Sequence, residues 1–157
     1  MAPEIERKFL VEQVPPDLEI TSEVDIAQGY LAMGDQQVRL RRQADATLLT
    51  AKRGHGIVRE EVEVLLARAA FEELWPLTEG QRLAKTRLTT PVKGGMAQID
   101  VYKGRLAGLI VAEVEFDDTD SAHAFTPPPW FSHELSGDGR YSNQRRAVEG
   151  LPAELRA

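Results

Sequence analysis

The sequence predicts an α+β domain built on eight antiparallel strands that form a closed or nearly closed barrel, with a few helices outside it. Three observations support this prediction: eight short alternating runs, turn residues between them, and a length of 157 residues, which suits one domain. The gaps between runs are short, whereas a parallel connection needs a crossover of about a dozen residues or more. Neighbouring strands are therefore expected to be antiparallel, with the whole chain, 1–157, as one domain.

Eight segments show the alternation of apolar and polar residues that is typical of β-strands. They are residues 5–11, 24–32, 37–43, 47–53, 56–64, 82–91, 96–103 and 109–117. Turn-forming residues separate them, as at Gly34-Asp35 and Gly94-Gly95. His55 is assigned to another turn rather than to a metal site, because the three histidines lack the spacing of zinc ligands. A barrel of about eight strands leaves room for packed side chains or for one small ligand.

Three helices are predicted outside the strands, over residues 66–77, 120–125 and 142–149. The first has the spacing of an amphipathic helix, and its apolar face is formed by Leu66, Ala70, Leu74 and Leu77. We expect this face to pack against the barrel, although Pro76 weakens the end of the helix.

The composition excludes several classes of protein. The chain has 25 acidic and 19 basic residues, a net charge of −6 and an aromatic content of 6%. A nucleic-acid partner is not expected, because such proteins carry a basic excess or aromatic side chains that stack on bases. The lack of cysteine excludes disulfides, thiolate metal sites and cysteine nucleophiles. The first residues lack the apolar run of a signal peptide and no stretch could span a bilayer, so a cytoplasmic protein without a membrane partner is expected.

Charged residues of one sign recur on single faces of the predicted strands. Side chains two residues apart share a face, so Arg39 and Arg41 lie together, as do Glu113 and Glu115. A solvated outer face would explain any one strand, since antiparallel sheets commonly have a wet face. Like charges at this spacing repel, however, and burying them without compensation is costly. Their recurrence along the chain instead favours a water-filled tunnel that holds a ligand and a metal ion.

The combination of acidic and basic faces indicates the chemistry of that ligand. Carboxylates bind hard divalent cations such as Mg²⁺ and Mn²⁺, whereas arginine and lysine bind phosphate oxygens. A surface that carries both sets is what a complex of a metal ion with a polyphosphate requires.

The same residues form an ordered set of motifs. Near the start of the chain, Glu4-Ile5-Glu6-Arg7-Lys8 resembles the E-x-E-x-K signature of the CYTH superfamily, the triphosphate tunnel metalloenzymes. Further motifs agree in order: Gln28-Gly29-Tyr30-Leu31, Val38-Arg39-Leu40-Arg41, Thr50-x-Lys52, Glu61-x-Glu63, Lys85-x-Arg87, Asp100 and Glu113-x-Glu115. The resemblance extends over nearly the whole chain. It implies a closed eight-stranded antiparallel β-barrel whose interior is the tunnel.

The resemblance also implies a role for each matching position. The metal ligands would be Glu4, Glu6, Asp100, Glu113 and Glu115, with Glu61 and Glu63 beside them in the outer shell of the metal. The triphosphate would be bound by Lys8, Tyr30, Arg39, Arg41, Lys52, Arg59, Lys85 and Arg87. Catalysis would involve Lys8, Lys85 and Glu115, and the implied cofactor is Mg²⁺ or Mn²⁺. One departure from small relatives is Arg145-Arg146, which either alters the packing of the last helix or adds a contact at the tunnel mouth.

The function expected from this resemblance is metal-dependent hydrolysis of a linear triphosphate, with inorganic tripolyphosphate favoured and orthophosphate released. The small-molecule triphosphate is the expected partner, and a homodimer is the assembly considered. Two alternatives keep the same tunnel: an adenylate cyclase of the class IV type, and a thiamine or nucleoside triphosphatase. A third alternative belongs to another class of function, a polyphosphate-binding module without catalysis.

Overall fold

Eight antiparallel strands close into a barrel in a computed structural model of the chain, which describes residues 2–54 and 56–156. The strands are β1 (Ala2–Leu10), β2 (Ser22–Ala32), β3 (Gln36–Gln43), β4 (Ala46–Arg53), β5 (Val58–Leu65), β6 (Arg82–Val92), β7 (Gly95–Tyr102) and β8 (Ile110–Glu115). Their order around the barrel is β1-β5-β4-β3-β2-β6-β7-β8. The predicted fold class is confirmed, and each predicted strand is present with its ends displaced by a few residues. The turn predicted at His55 lies outside the described residues.

The apolar core of this protein lies largely outside the barrel rather than in its centre. Along β3, Leu40 is fully buried on the outer side, while Arg39 and Arg41 alternate with it and face inward. One apolar cluster joins Phe9 of β1 and Ile99 of β7 to the aromatic residues that follow β8. The apolar side chains pack on the outer face of the barrel. The inner face can therefore carry charged side chains.

Within residues 2–54 and 56–156, three short α-helices and several 3₁₀ turns lie on the outside of the barrel. The helices are α1 (Arg68–Leu74), α2 (Thr119–Ala124) and α3 (Asn143–Glu149). Side chains cap two of them: Asp118 accepts a hydrogen bond from the backbone N–H of Ser121, and Ser142 accepts one from the N–H of Arg145. Among the described residues, no helix has both the length and the apolar character needed to cross a membrane.

The predicted helix over 66–77 is wrong in its extent, and one residue of its predicted apolar face, Leu77, is exposed, while the other three are partly buried. The helix ends at Leu74, and a 3₁₀ turn over Trp75–Thr78 follows. Pro76 has no N–H to donate to the preceding turn, so the α-helical pattern stops and the chain tightens. Phe71 is the buried residue of α1, whereas Leu77 is 68% exposed.

Two glycines have positions that a side chain could not occupy. A Cβ at Gly29 of β2 would lie 2.5 Å from Thr78 Oγ1, so glycine allows the 3₁₀ turn to pack directly on the strand. Gly94 has φ of 94° in the turn between β6 and β7. The pairing of Val92 with Gly95 shows that this turn is Lys93-Gly94, one residue earlier than the predicted Gly94-Gly95.

Candidate active site

A cavity of about 570 Å³ occupies the interior of the barrel. Its lining is dominated by charged residues, and most of the predicted site residues belong to it. These are Glu4, Glu6, Lys8, Tyr30, Arg39, Arg41, Lys52, Arg59, Glu61, Glu63, Arg87, Glu113 and Glu115. The predicted alternation of faces thus brings residues from seven strands to one cavity.

Three carboxylates of this cavity converge closely enough to share one cation. Glu4 and Glu6 lie on the same face of β1, and Glu6 is paired in register with Glu115 of β8. One oxygen from each of the three carboxylates lies within 4.8 Å of the others. Carboxylate oxygens are the preferred ligands of hard divalent cations, so the chemistry and spacing of this group fit Mg²⁺ or Mn²⁺.

The electrostatics of the three carboxylates also suit a cation. Burial, and then repulsion from Glu113, raise the pKa of Glu6 to about 8. Burial is likewise the main cause that raises the pKa values of Glu4 and Glu115. A bound divalent cation would favour the ionised form of all three groups and remove the repulsion among them.

Glu113 differs from these three, although it faces the same cavity. Burial alone would raise its pKa, but Lys8 and Arg87 hold it well below the ordinary value. Lys8 is its register partner on β1. The structure therefore presents Glu113 as an ionised partner of two cations, outside the group of three carboxylates that are close enough to share a metal.

Asp100 is placed differently from the metal ligand that the resemblance implies. It is fully buried, and its carboxylate accepts hydrogen bonds from Lys85 Nζ at 2.6 Å and from Arg87 Nε and Nη2 at 2.8 and 2.9 Å. Both oxygens are thus engaged by cations of β6, which pairs with β7 so that Arg87 lies opposite Asp100. The geometry assigns Asp100 to holding these cations rather than to the group that could ligate a metal.

Lys85 lies behind the cavity wall. Its side chain is 0% exposed and points at Asp100, and only Arg87 of this trio lines the cavity. Burial is the main cause that lowers the pKa of Lys85 to about 7, while the nearby Asp100 acts in the opposite direction. Alternation along β6 correctly predicts the face of Lys85, but its burial depends on its ion pair with Asp100 of the adjacent β7.

The basic side chains of the cavity fall into two groups. Some already have acidic partners: Lys52 Nζ lies 3.0 Å from Glu4 and 3.2 Å from Glu61, and Arg59 lies 3.1 Å from Glu6. Arg41 instead donates two hydrogen bonds to the side-chain oxygen of Gln28.

Arg39, like Arg59, has a buried Nε that no hydrogen-bond partner satisfies in the described part of the chain. The Arg39 side chain is 6% exposed. A buried, unpaired guanidinium N–H costs free energy unless a ligand completes it. An anion between Arg39 and its neighbours would supply the missing acceptor.

Glu63 and Tyr30 complete the set of predicted residues. Glu63 accepts a hydrogen bond from the Thr50 hydroxyl at 2.8 Å, which holds it on the cavity wall away from the group of three carboxylates. Tyr30 is fully buried, and its hydroxyl accepts a hydrogen bond from Gln28 Nε2 at 3.0 Å.

Several cavity residues are missing from the sequence-based prediction. Neutral side chains line it beside the charged ones, among them Gln37, Gln43, Gln98, Ser142, Asn143 and Gln144. The strand glutamines share a face with predicted residues, so the rule of alternate residues could have identified them. The residues after Leu135 have no such signal, because only the tertiary structure brings them to the barrel end. There, Gln144 exchanges two hydrogen bonds, of 2.8 and 3.1 Å, with the backbone of Gly34.

The two arginines that depart from the pattern of small relatives both lie away from the cavity lining. Arg146 is buried in α3 and donates a hydrogen bond to the carbonyl oxygen of Gly150, while Arg145 pairs with Glu149 at 2.7 Å. The change therefore affects the packing of the last helix, and in the described part of the structure neither side chain lines the cavity.

Comparison with known proteins assigns this chain to one family. The sequence model of the CYTH domain matches residues 2–126. The chain belongs to the CYTH domain family. An inorganic triphosphatase of Nitrosomonas europaea is 43% identical to this CYTH protein over 148 residues, covering 92% of this chain and 97% of the relative. An inorganic triphosphatase of Acetivibrio thermocellus is 34% identical to this chain. The matched region covers 91% of this chain and 92% of the relative.

Solved structures share the fold. A crystal structure of an inorganic triphosphatase superposes with a TM-score of 0.70 at 41% identity, and covers 92% of this chain and 97% of its own. A more distant protein from Hippeastrum, described as a putative adenylyl cyclase with a dominant triphosphatase activity, has a TM-score of 0.57 at 15% identity and covers 76% of this chain and 83% of its own. At this low identity, the structural similarity shows only that the two proteins share the barrel fold.

Proposed function

We propose that this CYTH protein is a metal-dependent triphosphatase that hydrolyses a linear triphosphate, preferentially inorganic tripolyphosphate, and releases orthophosphate. The observation that carries the proposal is one cavity in which three convergent carboxylates face several buried basic side chains. The names of the two relatives, each over 90% covered, support the same activity.

Glu4, Glu6 and Glu115 would hold the divalent cation, for which Mg²⁺ and Mn²⁺ are the two candidates. When bound, such an ion neutralises charge on phosphate oxygens and lowers the pKa of a coordinated water. Glu61 lies 3.2 Å from Lys52 and Glu63 is held by Thr50, so both are proposed to balance charge around this group.

The basic side chains would bind and orient the phosphates. Arg39 has a free buried donor, and Arg41 is held by Gln28 so that its remaining donors face the cavity. Arg87 is fixed by two hydrogen bonds to Asp100, and Lys85 is proposed to act through this same carboxylate rather than by touching the substrate. Because phosphoryl transfer depends mainly on positioning and charge neutralisation, rigidly held cations are what the reaction needs.

Lys8 is proposed as the basic residue nearest the reacting phosphate. Its side chain lines the cavity between Glu6 and Glu113, and burial lowers its pKa against the opposing influence of these two carboxylates. An ammonium group at this place could neutralise charge that develops on the phosphate oxygens in the transition state.

The decisive experiment is phosphate release from tripolyphosphate with Mg²⁺, with Mn²⁺ and with EDTA. We expect turnover with at least one metal ion and none in EDTA. Full activity in EDTA would contradict the metal assignment. No turnover with either ion, combined with tight tripolyphosphate binding, would identify the non-catalytic binding module instead.

A substrate panel separates the alternatives that share the tunnel. Tripolyphosphate, ATP, GTP and thiamine triphosphate are compared at equal concentrations, and the products are identified. We expect the highest kcat/KM with tripolyphosphate. Cyclic AMP as the main product from ATP would indicate the cyclase, and a preference for thiamine triphosphate would indicate the thiamine enzyme.

The assembly and the location stay predictions. The outer face of β5 exposes Val58, Val62 and Val64 by 44%, 42% and 47%, and an apolar face of this kind is compatible with the predicted homodimer. Sedimentation equilibrium gives the mass in solution, and a monomer at micromolar concentration would contradict the prediction. The cytoplasm is the predicted location, which fractionation of the source cells would check.

A further inference from the structure

Lys8 is contacted at three points by a C-terminal segment, residues 132–141. Its backbone N–H donates a hydrogen bond to Ser136 Oγ at 2.9 Å, and its carbonyl oxygen accepts one from the N–H of Leu135 at 2.7 Å. Its Nζ donates to the carbonyl oxygen of Tyr141 at 2.7 Å. All three partners lie beyond residues 2–126, the part of the chain that carries the family match.

The segment fills a gap in the barrel wall. β5 pairs with β1 only as far as Ile5, followed by one hydrogen bond from the N–H of Glu6 to the carbonyl oxygen of Ile57. Further along β1, Phe9 forms an antiparallel bridge with Glu134, and Leu10 exchanges backbone hydrogen bonds with residues 132 and 133. The C-terminal segment therefore replaces β5 as the neighbour of β1 at Lys8.

A chain of hydrogen bonds anchors this segment to the outer side of β1. Arg7 donates to both oxygens of Glu134, at 2.9 and 2.7 Å, and also to the carbonyl oxygens at the end of α2. Arg7 is the main cause that lowers the pKa of Glu134, so this carboxylate is ionised at neutral pH. The Ser136 hydroxyl donates to Glu134 at 2.8 Å while it accepts the N–H of Lys8.

We propose that Ser136, held by Glu134, is a positioning residue for Lys8 in the proposed triphosphatase reaction, on which this inference rests. Arg7 and Lys8 point to opposite sides of β1, so the Arg7–Glu134–Ser136 chain connects the outer surface to the backbone of a residue that faces the cavity. Holding that backbone fixes the direction in which the Lys8 side chain enters the cavity. A displacement of about 1 Å at a reacting centre can cost about 100-fold in rate.

The test compares Ser136→Ala with Ser136→Thr and Ser132→Ala. Alanine at 136 removes the acceptor of the Lys8 N–H, whereas threonine retains a hydroxyl. Ser132 is exposed in the same segment, and its contact with Leu10 uses only the backbone, which alanine preserves. The readouts are kcat and KM for tripolyphosphate, the melting temperature, and hydrogen–deuterium exchange of the Lys8 amide.

For Ser136→Ala we expect a fall in kcat of at least about tenfold, a change in KM of less than about threefold, and faster exchange of the Lys8 amide. Ser136→Thr should recover most of kcat, and Ser132→Ala should match the unmodified protein. Unchanged kcat in Ser136→Ala would overturn the inference. So would equal losses in Ser136→Ala and Ser132→Ala, or a loss that follows the melting temperature alone.

Failure of the proposed function would be recognised separately. If the unmodified protein hydrolyses no triphosphate, amide exchange still reports whether Ser136 holds Lys8. Unchanged exchange of the Lys8 amide in Ser136→Ala would then overturn the placement, and faster exchange would support it.

Discussion

Single residues in this tunnel are arranged for a ligand at some expense in stability. Arg39 and Arg41 lie on the same face of β3, and burial followed by repulsion from Arg39 lowers the pKa of Arg41 to about 10. Across the cavity, Glu6 has a pKa of about 8 for the corresponding reasons of burial and repulsion from Glu113. Natural proteins tolerate such groups where function requires them, so their removal should affect stability and activity in opposite directions.

Replacement of Glu115 by Gln should abolish turnover without unfolding the protein. Its carboxylate is one of three that could share a metal ion, and loss of even an outer partner of a metal ligand typically costs about 10- to 100-fold. We expect kcat to fall at least about 100-fold in a phosphate-release assay. Glu60→Gln, on the outer face of β5, is the control, and retention of activity by Glu115→Gln would exclude its metal role.

Arg39→Met should weaken substrate binding while it stabilises the fold. The substitution removes a buried N–H without a partner and relieves repulsion on Arg41, so the free energy of unfolding should rise by about 1 kcal/mol. Loss of a charge-assisted hydrogen bond to phosphate should raise KM at least about tenfold. Denaturant unfolding and steady-state kinetics measure the two effects. Arg53→Met, on the exposed outer face of β4, should change neither by much, and an unchanged KM in Arg39→Met would remove Arg39 from the site.

Metal affinity should increase with pH up to about 8. Glu6 is mostly protonated at pH 7 in the metal-free protein because its pKa is raised to about 8, and a cation must displace that proton. The dissociation constant should fall about tenfold per pH unit between pH 6 and 8 and level off above 8. Calorimetric titration with Mg²⁺ in buffers of different ionisation enthalpy measures both the affinity and the proton released. Equal affinity at pH 6 and pH 8 would show that metal binding displaces no proton from Glu6.

At the scale of single elements, periodicity predicts strands better than it predicts helices. Each strand has two chemically distinct faces, and the charged face of β1 or β3 is recognisable from alternate residues alone. The helix over 66–77 has apolar residues on more than one side, and Pro76 ends it early. Phe71 is buried with its ring stacked on Trp75, whereas the predicted contact residue Leu77 faces solvent.

Phe71 of α1 and Leu77 of the following 3₁₀ turn should therefore differ sharply on mutation. Phe71→Ala removes a fully buried aromatic ring and should lower the free energy of unfolding by about 3–5 kcal/mol. Leu77→Ala should stay within about 0.5 kcal/mol of the unmodified protein, because this side chain is 68% exposed. Urea unfolding measures both. A larger loss of unfolding free energy for Leu77→Ala than for Phe71→Ala would show that Leu77 belongs to the buried face, as the sequence predicts.

At the scale of the whole molecule, closure of the sheet is what makes the site. The barrel removes free strand edges and encloses charged faces from β1, β3, β4, β5, β6 and β8 around one cavity. The enclosed carboxylates repel one another without a cation, so a ligand that binds only the folded state should also stabilise it.

Addition of Mg²⁺ or Mn²⁺ should raise the melting temperature of the unmodified protein. At a concentration 100 times the dissociation constant, binding to the folded state contributes about 2.7 kcal/mol. Glu115→Gln should show a much smaller rise at the same concentration, since it lacks one of the three convergent carboxylates. Differential scanning fluorimetry measures both shifts, with Na⁺ at equal ionic strength as the control. Equal shifts in the two proteins would place the metal elsewhere.

The sequence by itself determined the eight strands, the charged faces of most of them and most of the charged residues that line the cavity, because alternation along a strand is a local property. The tertiary structure alone decided how deep each residue lies and which partner it meets. Asp100 and Lys85 neutralise each other behind the wall because the pairing of β6 with β7 brings them together. Residues 132–141 complete the wall beside Lys8 because β5 leaves β1 at Glu6. Both outcomes depend on contacts between residues distant along the chain, which no local pattern records.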